Sequence, residues 1–258
     1  MPTHIQVIAL IQGHLPLDIS ITLPNIEFFS VSGNHFIGSI LDSISNATNL
    51  DTLQLNRNKL NGKFPSLEEL NKMTLFRISN NLLGNGGAND LGFLCFLTNA
   101  TYLITLQICT NNFGGGLPKC IGNFSTNLTE LALDNNKISG KIPVEVGNLI
   151  NLLRLDMWQN KLLGNIPYEI GNLQKLQILA LNTNNFYGNI PSSIGNLIVL
   201  TNLYLYKNNL QGNIPLSLSK CRNLLNLNLA NNNLSGLIST QVIGLSPIFF
   251  ISFCQPVK

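Results

Sequence analysis

The chain has 258 residues, 45% of them hydrophobic and only 10% charged, with a formal net charge of +3. There is no run of lysine or arginine, which excludes nucleic-acid binding through a basic face. The five cysteines show no C-x-x-C spacing and the three histidines lie near the start, so no metal and no cofactor is implied.

In chain order, residues 1–22 read as a degenerate first repeat. Ile5, Ile8 and Leu10 keep strand alternation, and Gly13, Leu15-Pro16 and Ile19 follow. The apolar run Ile5 to Ile11 lacks the basic start and small-residue cleavage site of a signal peptide. Residues 23–243 then repeat a unit of about 24 residues, roughly nine times. Leu152, Leu155, Met157, Asn160, Leu162, Gly164, Ile166-Pro167 and Ile170 are followed by Leu176, Leu179, Leu181, Asn184, Phe186, Gly188, Ile190-Pro191 and Ile194. The next unit has Leu200, Leu203, Leu205, Asn208, Leu210, Gly212 and Ile214-Pro215. The fourth unit is longer: Gly84 to Ala100 replaces the usual return, and Phe93, Leu94 and Leu97 are expected to pack a helical turn onto the outer wall. From about residue 244 the period fails, and 244–258 reads as a divergent tail. Its apolar stretch is about half the roughly 20 residues needed to span a bilayer.

Within a unit, Leu203 and Leu205 alternate with Tyr204 and Tyr206, the period of a strand. So short a strand cannot bury its own leucines. Stacking the next unit alongside buries them and forms a parallel sheet with strands about 4.8 Å apart. The expected fold is therefore an α/β repeat: a curved leucine-rich repeat solenoid, with a parallel sheet on the concave face and irregular or short 3₁₀ segments on the convex face. A column of asparagines (Asn34, Asn58, Asn81, Asn111, Asn136, Asn160, Asn184, Asn208 and Asn232) stands where the chain leaves the strand. An amide both donates and accepts, so this column can satisfy turning backbone groups from coil to coil. Glycine and proline, as at Gly164 and Pro167, are expected to bend the return path and exclude a long helix.

The unit L-x-x-L-x-L-x-x-N-x-L-x-G-x-I-P, closed by Ile170-Gly171-Asn172-Leu173, resembles the extracellular domains of plant leucine-rich repeat receptor-like kinases. Asn89-Asp90-Leu91-Gly92-Phe93-Leu94 and Ile121-Gly122-Asn123-Phe124-Ser125-Thr126-Asn127 are similar to the subgroup that includes immune receptors. The resemblance covers about residues 23–243. It implies a concave face that binds a peptide or protein ligand outside the cell, recruitment of a co-receptor with leucine-rich repeats, and a role in defence or development. The kinase signatures Val-Ala-Ile-Lys, His-Arg-Asp and Asp-Phe-Gly are absent from these residues. The chain is accordingly read as ending before the membrane helix and kinase, as non-enzymatic, and as not inserting in a membrane itself. A secreted inhibitor of the polygalacturonase-inhibiting type is the alternative that the same repeat implies.

Residues between the inward leucines form outward columns. Arg154, Asp156, Trp158, Gln159, Asn182, Tyr204, Tyr206 and Lys207 are the candidate ligand-binding set, with an exposed Trp158, Tyr204 and Tyr206 rimmed by charge. Tryptophan, tyrosine and arginine are the side chains that anchor interfaces. Asp134 and Asp156 fall in adjacent units and are expected to be solvated polar contacts rather than an acid–base pair. Asn-x-Ser/Thr sequons mark Asn46, Asn99, Asn123, Asn127 and Asn233 as glycosylation candidates, with Asn233 expected to be crowded. Cys120 and Cys221 are expected to be small buried residues of the outer wall.

Overall fold

A segment that alternates leucine with polar residues buries one edge only when another segment lies beside it, and the chain meets that demand with its own next coil. The computed structural model describes residues 3–7, 10–16, 25–236, 239–243 and 250–252. Ile8, Ile19, Ile238 and most of the 244–258 tail lie outside the described residues.

The main sheet has eleven parallel strands whose order in space is their order in the chain. Its central strands are Glu130–Ala132, Arg154–Asp156, Ile178–Ala180, Asn202–Tyr204 and Asn226–Asn228. Leu131, Leu155, Leu179, Leu203 and Leu227 stand in one register row, all fully buried. The sheet continues past the residue where the sequence period fails: Phe250–Ser252 pairs with Asn226–Asn228.

After eight of these strands one side-chain-bearing residue takes a left-handed backbone. Arg57, Asn80, Thr110, Asn135, Gln159, Thr183, Lys207 and Asn231 all have φ between 52 and 59°. That conformation is unfavourable for side-chain-bearing residues. It turns the chain inward and presents an N–H to the next coil, as Gln159 N–H does to the Asn182 carbonyl at 3.0 Å and Lys207 N–H to that of Ala230 at 2.9 Å. The asparagine follows and fills the turn. Asn184 Nδ2 donates to the Met157 and Leu181 carbonyls at 2.9 and 3.1 Å, and its Oδ1 accepts from Leu162 N–H at 3.0 Å. Asn34, Asn58, Asn81, Asn111, Asn136, Asn160, Asn208 and Asn232 repeat the arrangement.

The return path differs from a mere bend. Segments such as Lys161–Gly164, Asn185–Asn189 and Asn209–Gly212 are strands of a second parallel sheet, and 3₁₀ turns such as Tyr168–Asn172 and Ser192–Asn196 close the outer side. This second sheet is split into four-stranded and six-stranded parts at the long unit. There the Asp90 carboxylate accepts the N–H groups of Asn85, Gly86, Gly87 and Gly114 at 2.9–3.0 Å, so the loop lies over the strand Gly114–Gly116. A Cβ on Gly114 would sit 2.3 Å from the Gly86 carbonyl carbon, which is why only glycine fits. The turn expected near Leu91–Leu97 is a 3₁₀ segment, Gly92–Asn99, with Phe93, Leu94 and Leu97 buried. Phe93 packs among Phe64, Phe76 and Phe113 at ring distances of 4.8–6.2 Å.

Cys120 departs from its expected role. It is half-buried and bridges Cys95 across 5.5 Å between Cα atoms, tying the long unit's 3₁₀ segment to the next, Lys119–Asn123. Cys221 is buried as a free thiol, and burial pushes its pKa up to about 11.

Candidate functional site

The register of the main sheet places the outward residues in columns. Glu130, Arg154, Ile178 and Asn202 form the first, and Ala132, Asp156, Ala180, Tyr204 and Asn228 the second. A third, Asp134, Trp158, Asn182 and Tyr206, is fixed by backbone bonds from Asn135 to Trp158, Gln159 to Asn182 and Thr183 to Tyr206. Where Ala180 and Asn182 stand between Asp156 and Trp158 on one side and Tyr204 and Tyr206 on the other, a groove of about 520 Å³ opens. It is lined by Arg154, Asp156, Trp158, Asn182, Tyr204 and Tyr206 among the expected residues, with Ile178 and Ala180 beside them.

Gln159 and Lys207 do not line it. They occupy the left-handed turn position, one residue past the last outward side chain, and are exposed there. Conversely, Asn202 and Asn228 line the groove and were not singled out from the sequence. Carrying the columns of Arg154 and Asp156 forward to later strands finds both.

The charged part of the face is drier than the sequence suggested. Asp156 is 3% exposed and Asp134 is 6% exposed, so neither is the solvated contact expected of an open sheet. Burial, followed by the Asp156 charge, pushes Asp134 up to about 6. Burial also raises Asp156, against the pull of Arg154, whose Nε–H donates to Asp156 Oδ2 at 2.6 Å. Cys109, one coil earlier, donates its thiol to Ser79 Oγ at 2.9 Å and is held in the thiol form by burial. Tyr204 is fixed in place by Asn202, whose Nδ2 donates to the phenolic oxygen at 2.7 Å. Trp158, Tyr204 and Tyr206 are half-buried rather than fully exposed.

A larger hollow, about 760 Å³, opens on the flank against Lys141, Tyr168 and Tyr187. Its polar side chains, including Asn165, Asn189 and Gln211, are exposed and already solvated. Asn46, Asn99, Asn123, Asn127 and Asn233 are all exposed, including Asn233, expected to be crowded.

A model of the Leucine Rich Repeat matches residues 127–149, 151–173, 175–197 and 199–221. Coils, asparagine column and parallel sheet agree with that match. The chain is a leucine-rich repeat solenoid. Its leucine-rich repeats are 46% identical over 92 residues to the receptor kinase-like protein Xa21 of rice, a match over 36% of this chain and 9% of that protein. The solved structure of the plant peptide hormone receptor RGFR1 in complex with RGF2 superposes with a TM-score of 0.88 at 33% identity, covering 96% of this chain and 39% of that one. The Arabidopsis receptor kinase HAESA, in complex with the peptide hormone IDA and the co-receptor SERK1, has a TM-score of 0.73 at 29% identity, covering 95% of this chain and 45% of that one. The leucine-rich repeats described here thus span less than half the length of each of these three proteins. Among the described residues, no helix is long and apolar enough to cross a membrane.

Proposed function

We propose that this chain is the extracellular ligand-recognition region of a plant receptor-like Ser/Thr kinase acting in defence or developmental signalling, with no catalysis of its own. Its ligand is a peptide or protein held on the outward face of the main sheet, and a second leucine-rich repeat protein serves as co-receptor. The observation that carries this reading is the groove between Trp158 and Tyr206, where aromatic side chains meet an ion pair of the exposed Arg154 with the buried Asp156. Relatives named as receptor kinases, and structural neighbours solved with peptide hormones, support the same assignment.

The test is a binding screen of the whole chain, made as a secreted protein, against synthetic plant signalling peptides by calorimetry. A saturating peptide is expected to lose about tenfold or more in affinity when Trp158 and Tyr206 are both replaced by alanine. Unchanged affinity in a double variant with an unaltered circular dichroism spectrum refutes the assignment of the face.

A further inference from the structure

Asn182 is only 4% exposed and lines the groove, yet its side-chain amide has no hydrogen-bond partner among the described residues. Its amide therefore meets only the solvent in the groove, and a ligand atom can take that solvent's place. Trp158 rises one strand before it and Tyr206 one strand after. Two strand steps set their backbones about 9.5 Å apart, room for one planar group in contact with both rings. The small Ala180 leaves the floor open between them.

The surrounding charges select the sign. Glu130, Asp134 and Asp156 share the single guanidinium of Arg154, while Cys109 stays a neutral thiol. Glu130 and Asp134 stand one coil before the groove and Lys207 on the turn beyond Tyr206, so around the groove three carboxylates face two cations. The Arg154–Asp156 pair inside the groove cancels, and the surroundings add a net negative charge beside aromatic faces, the combination that attracts cations.

We propose that the groove is a clamp for one cationic side chain of a peptide ligand, a guanidinium or ammonium seated between Trp158 and Tyr206, donating to the Asn182 side-chain oxygen and offset by the Asp134 and Asp156 carboxylates. This rests on the reading of the face as a peptide site and adds the chemical class of its anchor. A bound cation favours ionised Asp134, which lies near the midpoint of its titration at about pH 6. Affinity accordingly falls as the pH drops through that value.

Trp158 is the single tryptophan of the chain, so its emission reads the groove directly. The probes are acetyl-Gly-Arg-Gly-amide and the same peptide with citrulline or glutamate in place of arginine. The arginine peptide is expected to give a saturable change, about tenfold tighter than the neutral citrulline isostere. It should weaken severalfold between about pH 7 and about pH 5, and Asp134→Asn should remove most of that pH dependence while the circular dichroism spectrum is unchanged. Citrulline or glutamate binding as tightly as arginine overturns the cation assignment and leaves the groove a peptide site of other chemistry. No saturable response to any of the three also overturns the clamp. The broader reading is then decided by the Trp158 and Tyr206 double variant in the peptide screen.

Discussion

Replacing Asn184 by alanine tests the column on which the stacking depends. The side chain is 8% exposed and makes three short bonds: two from Nδ2, to Met157 and Leu181 carbonyls, and one to Oδ1, from Leu162 N–H. Two of these reach the preceding coil, so the loss is felt across the interface between repeats. At about 1 kcal/mol per bond, with an added penalty for leaving the buried Leu162 N–H unpaired, the expected cost is about 3–5 kcal/mol. Asn185, the exposed neighbour, has no comparable side-chain bonds, and Asn185→Ala should change stability by no more than about 0.5 kcal/mol. Urea unfolding followed by circular dichroism and Trp158 emission measures both, since Trp158 lies in the adjoining coil. A loss below about 1 kcal/mol for Asn184→Ala, with an unchanged denaturant slope, would refute the argument, because water or a small backbone shift would then do the same work.

Two further perturbations probe the long unit and the acidic face. Gly114→Ala should cost about 1–3 kcal/mol and raise hydrogen exchange at Asn85–Gly87, because the new methyl meets the Gly86 backbone at 2.3 Å. At Gly116 the nearest atom is 3.8 Å away, and the same change there should stay within about 1 kcal/mol; equal costs at both sites would sink the close-approach account. Asp134 is raised from 3.8 to about 6, so between those values the folded chain holds a proton that the unfolded chain has lost. Stability should fall as the pH rises through this window, and Asp134→Asn should flatten the fall, leaving the variant more stable above about pH 6 and little changed below about pH 4. Urea midpoints recorded across that range check the sign; a wild-type midpoint that rises with pH there, with the variant flat, contradicts it.

The spacing of Leu179 and Leu181, and the asparagine that follows at Asn184, are enough to derive the coil, the direction of its leucines and the outward columns. These are consequences of local alternation repeated at a constant period, and each copy reports the same geometry. The columns also place Trp158, Asn182, Tyr204 and Tyr206 side by side before any coordinates are known. What needed the tertiary structure depends on distances between coils where the copies differ. The Cys95–Cys120 bridge and the split of the second sheet arise at the one long unit, where the 24-residue period gives no register. Gln159 and Lys207 drop out of the groove because a left-handed residue rotates them off the sheet, which an alternating pattern cannot register. Asp156 is buried beside Arg154, and Asn182 lines the groove with no side-chain hydrogen bond among the described residues, neither of which the repeat pattern states. Burial and unpaired polarity belong to neighbours in space, so the chain order that dictates the columns leaves their chemistry undecided until the coils are stacked.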